Sequence, residues 1–253
     1  MKVTRLLLSG YYRGGYFAEI PLDSGNEKPK TVKMPRALLS LKSAGNMSVS
    51  KIEFIESLSI DPERVFYLKQ VHSKEVYAAE DIAGAERGSV IGDGLVCRNR
   101  DDGIILAVTV ADCLPIFILD KSGGAYGLVH SGWKGTGIVL NAIDILVERY
   151  GSKPDDLRVV IGPGIGPCCY NVSKERYDLF ISSYGKGSGV EADGNFYLDL
   201  RATNINLLHG KGVDDIIVID ECTSCNAKLW SFRRDGKNGF GTMLAMIGDI
   251  ESL

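Results

Sequence analysis

The segment Ile104–Val110 has six apolar residues in seven positions, and this run limits the folds open to the chain. A strand with one face in water alternates polar and apolar residues, whereas this run has no polar face. It therefore predicts a strand that other elements cover on both sides. Seven further runs have the β-branched and aromatic character of strands: Val65–Leu68, Leu95–Cys97, Ile116–Leu119, Ala125–Val129, Leu157–Ile161, Ile216–Ile219 and Met243–Ile247.

Helical spacing occurs between and beside these strands. Five segments have the apolar spacing or end signals of helices: Ile138–Val147 with a stop near Gly151, Ser173–Phe180, Asp199–His209, Met34–Leu41 and Ser50–Leu58. Strands alternate with helices but also follow one another directly. This order predicts an α/β fold with mixed sheets covered by helices, in one domain over residues 1–253.

The composition excludes several classes of protein. The 29 Lys and Arg residues and 32 Asp and Glu residues give a net charge of −3, so no basic surface for nucleic acid is expected. No apolar run approaches the ~18 residues of a membrane span. The early run Leu6–Leu8 is too short for the apolar region of a signal peptide, so we expect none. We therefore expect a cytoplasmic protein that binds neither nucleic acid nor membrane.

Only three histidines occur in the chain, and two of them fall at predicted strand ends together with a cysteine. His72 lies just after a strand, His130 ends another, and Cys113 lies in a tight connection between two more. Two imidazoles and one thiolate supply three of the four ligands of a zinc ion and leave one position open. Their spacing matches no short metal motif, so hydrogen-bonded structural histidines remain an alternative.

The other cysteines have weaker signals. Cys222 and Cys225 form a C-x-x-C pair, but no second C-x-x-C exists, so we expect neither to bind a metal. A loop with two small thiols and a thioredoxin-like redox pair both remain open. Cys168 and Cys169 are adjacent, and a disulfide between neighbours would be strained, so we expect them to be unpaired.

Two other segments have more than one interpretation. Gly162–Pro167 is not a dinucleotide-binding fingerprint, because Pro167 stands where the third glycine is needed; we interpret it as a rigid loop on a pocket wall. Arg233 and Arg234 suit either an anion such as phosphate or a turn with salt bridges.

Taken together, these segments resemble a known family over about residues 64–248. The matching segments, in order, are Gln70–His72, Asp93–Val96, Ala111–Pro115, His130–Gly135, Gly162–Tyr170, Cys222–Thr223 and Ser231–Arg234. Their order and content resemble the laccase-domain family of YfiH/YlmD-like proteins, also called multicopper polyphenol oxidases.

The resemblance implies a single domain of four layers, α/β/β/α, with an architecture like that of cysteine hydrolases. It also implies a zinc ion on His72, Cys113 and His130, with copper as a possible substitute. The implied activity is phosphorolysis of adenosine, inosine, guanosine and methylthioadenosine, together with adenosine deamination. The expected partners are therefore purine nucleosides and phosphate.

Roles for individual residues follow from their positions in these segments. Asp112, next to Cys113, is either a proton shuttle or a structural contact of the ligand. Arg233 is the expected anion contact in catalysis, and Gln70 and Arg13 are the other expected substrate contacts. In a rival interpretation Cys113 is a covalent nucleophile.

The chain also departs from the family pattern. Where the family has an N-terminal Ser-Thr-Arg-x-Gly-Gly stretch, this chain has Gly10–Gly15, in which the arginine is displaced by one residue or replaced by Tyr12. Asp23 stands in place of an asparagine, and Phe240 stands in place of an arginine. Because of these differences the substrate preference does not follow from the resemblance, whereas the three metal ligands match the family.

Two other functions remain alternatives. A multicopper laccase needs more imidazoles than three, but copper-dependent polyphenol oxidation at a lone copper remains open. A non-catalytic, metal-binding accessory protein is the other alternative, and it would bind metal without turnover. We expect a monomer or a weak homo-oligomer.

Overall fold

The computed structural model describes residues 2–22, 33–99 and 103–251. Within them lie sixteen strands: β1 (Lys2–Leu6), β2 (Tyr12–Arg13), β3 (Phe17–Ile20), β4 (Arg36–Ser40), β5 (Val65–Phe66), β6 (Val76–Ala78), β7 (Gly94–Arg98), β8 (Ile105–Val110), β9 (Leu114–Asp120), β10 (Ala125–Ser131), β11 (Leu157–Ile161), β12 (Asn171–Val172), β13 (Gly189–Ala192), β14 (Asn195–Leu198), β15 (Asp215–Ile219) and β16 (Met243–Gly248). The same residues contain five α-helices: α1 (Lys51–Ser57), α2 (Ile138–Tyr150), α3 (Lys174–Tyr184), α4 (Leu200–Gly210) and α5 (Phe232–Asp235).

The strands form two large mixed sheets and one small sheet. The seven-stranded sheet has the order β1-β15-β11-β9-β10-β7-β6. β1, β15 and β11 are parallel at one end, β7 and β6 are parallel at the other, and the neighbours between them are antiparallel. The six-stranded sheet has the order β2-β3-β4-β16-β8-β5, with β8 and β5 parallel and the other neighbours antiparallel. The small sheet has the order β12-β14-β13. An α/β fold with mixed sheets is thereby confirmed.

Three apolar clusters show how these elements pack. In the first, alternate residues of the two large sheets face each other, such as Phe117 of β9 and Val108 of β8. In the second, the other face of the seven-stranded sheet packs against α2 and α4, as with Ile118 and Ile143. In the third, the other face of the six-stranded sheet packs against α1. Both large sheets are therefore apolar on both faces, as the run Ile104–Val110 predicts.

Most of the predicted elements are confirmed, and the helix ends follow from their capping residues. α2 ends at Gly151, whose φ of 74° is left-handed, and α3 and α4 begin after Ser173 and Asp199, whose side chains accept hydrogen bonds from backbone N–H groups. The helix predicted over Met34–Leu41 is wrong, because Arg36–Ser40 is strand β4. Its apolar residues are buried on both faces, and such a short run has no period that separates strand from helix.

One connection passes directly between the two large sheets. β8 belongs to the six-stranded sheet and β9 to the seven-stranded sheet, and only residues 111–113 join them. Asp112 in this connection has a left-handed φ of 80°, which is rare for a residue with a side chain. The chain thus turns sharply one residue before Cys113, which directly precedes β9.

Both ends of the described chain contribute to these sheets. β1 forms an edge of the seven-stranded sheet, and β16 lies inside the six-stranded sheet. This arrangement supports the expectation of one domain, which stays a prediction. Among the described residues, no helix has the length and apolar character needed to cross a membrane.

Candidate metal centre

His72, Cys113 and His130 converge in the folded chain. One ligand atom from each lies within 4.8 Å of the others, and the two imidazole rings meet edge to face with centroids 4.9 Å apart. Zinc bonds of about 2.0–2.3 Å place tetrahedral ligand atoms roughly 3.3–3.8 Å apart, so small side-chain adjustments suffice. The donor set and the spacing therefore fit a tetrahedral metal ion with three protein ligands.

A glycine permits this close approach. Gly132 follows β10, and a Cβ atom added to it would lie 2.7 Å from the sulfur of Cys113 and 3.4 Å from a ring carbon of His72. A side chain at residue 132 would therefore push the thiol away from the imidazoles.

Asp93 holds two of the ligands in place. Its carboxylate is fully buried, and Oδ1 lies 2.9 Å from Nδ1 of His130. The same carboxylate accepts hydrogen bonds from the backbone N–H groups of Val71, His72 and Ser73 and from the Ser73 hydroxyl. A carboxylate on the far nitrogen of a metal-binding histidine fixes the ring orientation and leaves the other nitrogen for the metal.

The charges in this cluster depend on one another. Burial of Asp93 disfavours its ionised form, but hydrogen bonds from His130 and Ser73 outweigh this and hold its pKa well below the ordinary value. Burial likewise opposes ionisation of Cys113, but the charge and hydrogen bonds of His130 and His72 lower the pKa of the thiol. Burial would lower the pKa of His130, but Cys113 and Asp93 raise it overall. Cys113 therefore lies in an environment that favours the thiolate, which is the form that binds metal.

Two residues of the centre have left-handed backbone conformations. His72 has a φ of 63° and Asp112 a φ of 80°. Such conformations cost of order 1–3 kcal/mol for residues with side chains, and they persist where surrounding contacts impose them. At His72, the hydrogen bond from its backbone N–H to Asp93 imposes this conformation. At Asp112, hydrogen bonds from the Thr223 hydroxyl and the Arg233 backbone N–H to its carboxylate impose it.

The three ligands line a pocket with a volume of about 600 Å³. Such a volume is typical of small-molecule sites. Four aromatic side chains and three cationic side chains share its wall: Trp133, Tyr170, Phe232, Phe240, Lys134, Arg176 and Arg233. Burial raises the pKa of Tyr170 to about 12, so its hydroxyl keeps its proton at neutral pH.

Asp112 and Arg233 both line this pocket. The two carboxylate oxygens of Asp112 accept hydrogen bonds from the Thr223 hydroxyl, at 2.6 Å, and from the backbone N–H of Arg233, at 2.7 Å. These bonds favour a positioning role for Asp112 over a proton shuttle. The Arg233 guanidinium donates to the carbonyl oxygens of Cys169 and Asn171 through one nitrogen, so its other N–H groups are open to an anion.

The other predicted substrate contacts are placed differently. Gln70 lines the pocket, but its amide is bonded to the backbone and hydroxyl of Thr109, and so it positions the turn before His72. Arg13 is not among the pocket residues, and in the described structure it pairs with Glu19 of the neighbouring strand. This ion pair places Arg13 on the six-stranded sheet, and its contact with substrate stays a prediction. Asp23 lies outside the described residues.

Sequence reasoning assigned no role to three residues of the site. Asp93 and Lys134 stand inside the matching segments, and an aspartate directly before a buried strand was the available signal for Asp93. Arg176 comes from α3, and its guanidinium lies 4.8 Å from the centre of the Trp133 ring. Nothing in the local sequence of α3 distinguishes Arg176 from a solvent-exposed arginine.

Cys113→Ala removes the only thiolate of the cluster, so we expect the purified protein to lose one equivalent of bound metal while it still folds. The measurements are zinc per chain by atomic spectrometry and far-ultraviolet circular dichroism. Cys97→Ala, in the core between the sheets, is the control and should keep its metal. If Cys113 were a nucleophile and not a ligand, Cys113→Ala would keep the full metal content and lose only activity.

Asp93→Asn keeps the shape of the side chain but removes the charge that faces His130. We expect metal affinity to fall by about 10–100-fold, as is typical when the carboxylate behind a ligating histidine is lost. Competition with a chromogenic chelator measures the affinity, and Asp178→Asn, in an exposed ion pair with Lys174, is the control. Equal affinities for the two variants would contradict the role given to Asp93.

Comparison with known proteins places this site in a family. A family model described as multi-copper polyphenol oxidoreductase laccase matches residues 45–249. Purine nucleoside phosphorylase YlmD of Geobacillus stearothermophilus is 34% identical over 213 residues, which cover 78% of this chain and 76% of that protein. Adenosine deaminase RL5, from an unknown prokaryotic organism, is 29% identical over 203 residues, which cover 75% of this chain and 77% of that protein.

The same relationship appears in three dimensions. The crystal structure of YlmD from Geobacillus stearothermophilus matches with a TM-score of 0.75 and 31% identity, covering 86% of this chain and 92% of that chain. The resemblance expected from the sequence motifs is thereby confirmed. The chain belongs to the multi-copper polyphenol oxidoreductase laccase family, in the group of YfiH and YlmD.

Proposed function

We propose that this protein is a zinc-dependent purine nucleoside phosphorylase that also deaminates adenosine. The observation that carries the proposal is a two-histidine, one-cysteine cluster inside a pocket with both aromatic and cationic walls. The printed names of the relatives, a purine nucleoside phosphorylase and an adenosine deaminase, support it. The proposed substrates are adenosine, inosine, guanosine and methylthioadenosine, with phosphate as the second substrate.

His72, Cys113 and His130 would hold the zinc ion, and their two nitrogens and one sulfur suit it. When bound, zinc supplies a Lewis acid beside the substrate. The chain contributes the orientation of the ligands, because Asp93 fixes both histidine segments. Copper fits the same donor types and remains an alternative occupant.

The aromatic side chains suit the purine base. Phe232 and Phe240 pack edge to face with centroids 4.9 Å apart, and both line the pocket with Tyr170 and Trp133. A flat base gains about 1–3 kcal/mol by stacking on such a ring. The protonated hydroxyl of Tyr170 can donate a hydrogen bond to a ring nitrogen of the base.

The cationic side chains suit phosphate. Lys134, Arg176 and Arg233 come from three different segments and share the pocket wall. In phosphorolysis an oxygen of phosphate forms a bond to C1′ of the ribose, and the bond from C1′ to N9 of the purine breaks. The electron pair of that bond leaves with the base, which takes up a proton. The cations hold phosphate next to the sugar and offset its charge.

Deamination uses the same pocket without phosphate. Water adds at C6 of adenosine and ammonia leaves, so the products are inosine and ammonia. This reaction needs the base near the metal ligands, whereas phosphorolysis needs the sugar and phosphate near the cations. The two activities therefore differ in how the nucleoside lies in the pocket.

The rival functions have weaker support. A trinuclear copper cluster is not available, because His209, the third histidine of the chain, lies at the end of α4 near Asp214 and is not in the cluster. Copper-dependent polyphenol oxidation at a single ion rests on the family description alone. We further propose that the protein is cytoplasmic and a monomer or weak homo-oligomer.

The direct test is a panel of the four nucleosides with metal-loaded protein, with and without phosphate, and with products identified by chromatography. We expect free base and sugar 1-phosphate only when phosphate is present, and inosine from adenosine in both conditions. Cys113→Ala should lose these activities together with its metal. Metal binding with no product from any nucleoside would contradict the proposal and favour an accessory protein.

Arg176→Gln tests the phosphate site. Removing one charge-assisted contact should raise the KM for phosphate by about tenfold to a hundredfold and change deamination much less, because deamination does not use phosphate. Arg149→Gln removes an exposed arginine that pairs with Asp81 and should leave both reactions unchanged. A loss of deamination equal to the loss of phosphorolysis in Arg176→Gln would argue against a phosphate contact.

A further inference from the structure

Four cysteines from two distant segments meet away from the pocket. The sulfur atoms of Cys168, Cys169, Cys222 and Cys225 all lie within 4.8 Å of one another. Cys225 lies 3.4 Å from Cys169 and 3.8 Å from Cys168, measured between sulfur atoms. None of the four lines the pocket that contains Cys113.

These distances are those of a tetrahedral thiolate site. With zinc–sulfur bonds of about 2.3 Å, the edge of a sulfur tetrahedron is about 3.8 Å long. A disulfide has a sulfur–sulfur bond of about 2.0 Å. The separations of Cys225 from Cys168 and Cys169 are therefore close to the edge of a metal site and far from the length of a disulfide bond.

The backbone around Cys222 and Cys225 is arranged for thiolates. The N–H groups of Cys225 and Asn226 both donate to the carbonyl oxygen of Cys222, at 3.1 and 3.0 Å, which closes a tight turn. Gly166 donates its N–H to the sulfur of Cys222 at 3.2 Å. N–H groups that point at a sulfur stabilise its negative charge.

The second segment forms a matching turn. The N–H groups of Cys169 and Tyr170 donate to the carbonyl oxygen of Gly166, at 3.0 and 2.9 Å. A Cβ atom at Gly166 would lie 3.2 Å from the sulfur of Cys168 and 3.4 Å from the Cβ atom of Cys222, so a side chain at residue 166 would crowd the cysteines of both turns. An isolated parallel β-bridge between Gly164 and Cys222 joins the two cysteine-containing segments.

Two arginines bond to the backbone of these turns. Arg234 donates to the carbonyl oxygens of Thr223 and Asn226, at 2.9 and 3.0 Å, on either side of Cys225. Arg201 is buried and donates to the carbonyl oxygen of Gly164 at 2.7 Å. Both guanidinium groups also pair with carboxylates, Arg234 with Asp235 and Arg201 with Asp220, so their role at the cysteines is to hold the two turns in place.

We propose that Cys168, Cys169, Cys222 and Cys225 form a second metal site that binds one zinc ion through four thiolates. Four protein ligands leave no position for a substrate, so this site is structural. It joins the segment that carries Tyr170 to the turn that carries Thr223, and thereby holds one wall of the pocket.

This proposal differs from the interpretation reached from the sequence. The absence of a second C-x-x-C led us to expect that Cys222 and Cys225 bind no metal. The adjacent pair Cys168–Cys169 supplies the missing ligands, because the turn after Gly166 brings the two neighbouring thiols to one side.

The test is the number of zinc ions per chain in reduced, full-length protein after a mild chelator wash. We expect two in the unmodified protein and one in each of two variants, Cys113→Ala and the double variant Cys168→Ser/Cys225→Ser. Cys97→Ala should keep two. One ion in the unmodified protein, or two in the double variant, would overturn the proposal. Metal counting requires no turnover, so its outcome is independent of the proposed enzyme activity.

Two further measurements need no change to the four cysteines, and so they remain valid if the double variant does not fold. Cobalt bound to Cys113→Ala should give the intense sulfur-to-cobalt absorption of four thiolates, and its absence would overturn the site. Thiol counting on the unfolded, metal-free protein should give all six cysteines as free thiols. A deficit of two or four thiols would identify disulfides and reject the metal site. In the metal analysis, bound iron in place of zinc would reject the assignment to zinc.

Discussion

The carboxylate of Asp93 is the contact on which the geometry of the centre depends. It is fully buried and receives hydrogen bonds from three consecutive backbone N–H groups, residues 71–73, and from the ring of His130. Each bond to a charged group is worth about 1.5–3 kcal/mol, whereas a buried carboxylate without partners costs several kcal/mol. The turn at His72 and the orientation of His130 are therefore set together, before any metal binds.

Asp112 connects the centre to the rest of the pocket in a similar way. One oxygen bonds to the Thr223 hydroxyl and the other to the backbone of Arg233. Thr223 follows Cys222 directly, and the Arg233 side chain bonds to the carbonyl oxygen of Cys169. A short series of hydrogen bonds thus links the residue before the Cys113 ligand to both cysteine segments of the proposed second site.

The sequence was sufficient for most of the buried strands, because their signals are local, whereas the grouping of His72, Cys113 and His130 on one metal rests on the family resemblance and not on their spacing. An apolar run buried on both faces and a histidine at the end of such a run can be identified from neighbouring residues alone. The cysteine cluster could not be found in this way, since residues 168 and 222 meet only through the pairing of their loops. Arg176 was missed for the same reason, and β4 was mistaken for a helix because its run is too short to show a period.

The short crossing from β8 to β9 makes the metal centre sensitive to the core. Cys113 is placed by a connection that spans both large sheets, whereas His130 is fixed to the seven-stranded sheet alone. Any change that shifts one sheet against the other, such as overpacking near Phe117 and Val108, moves the thiolate relative to the imidazole. The affinity for metal therefore depends on how the two sheets pack together. A core substitution between the sheets can abolish metal binding although all three ligands are unchanged.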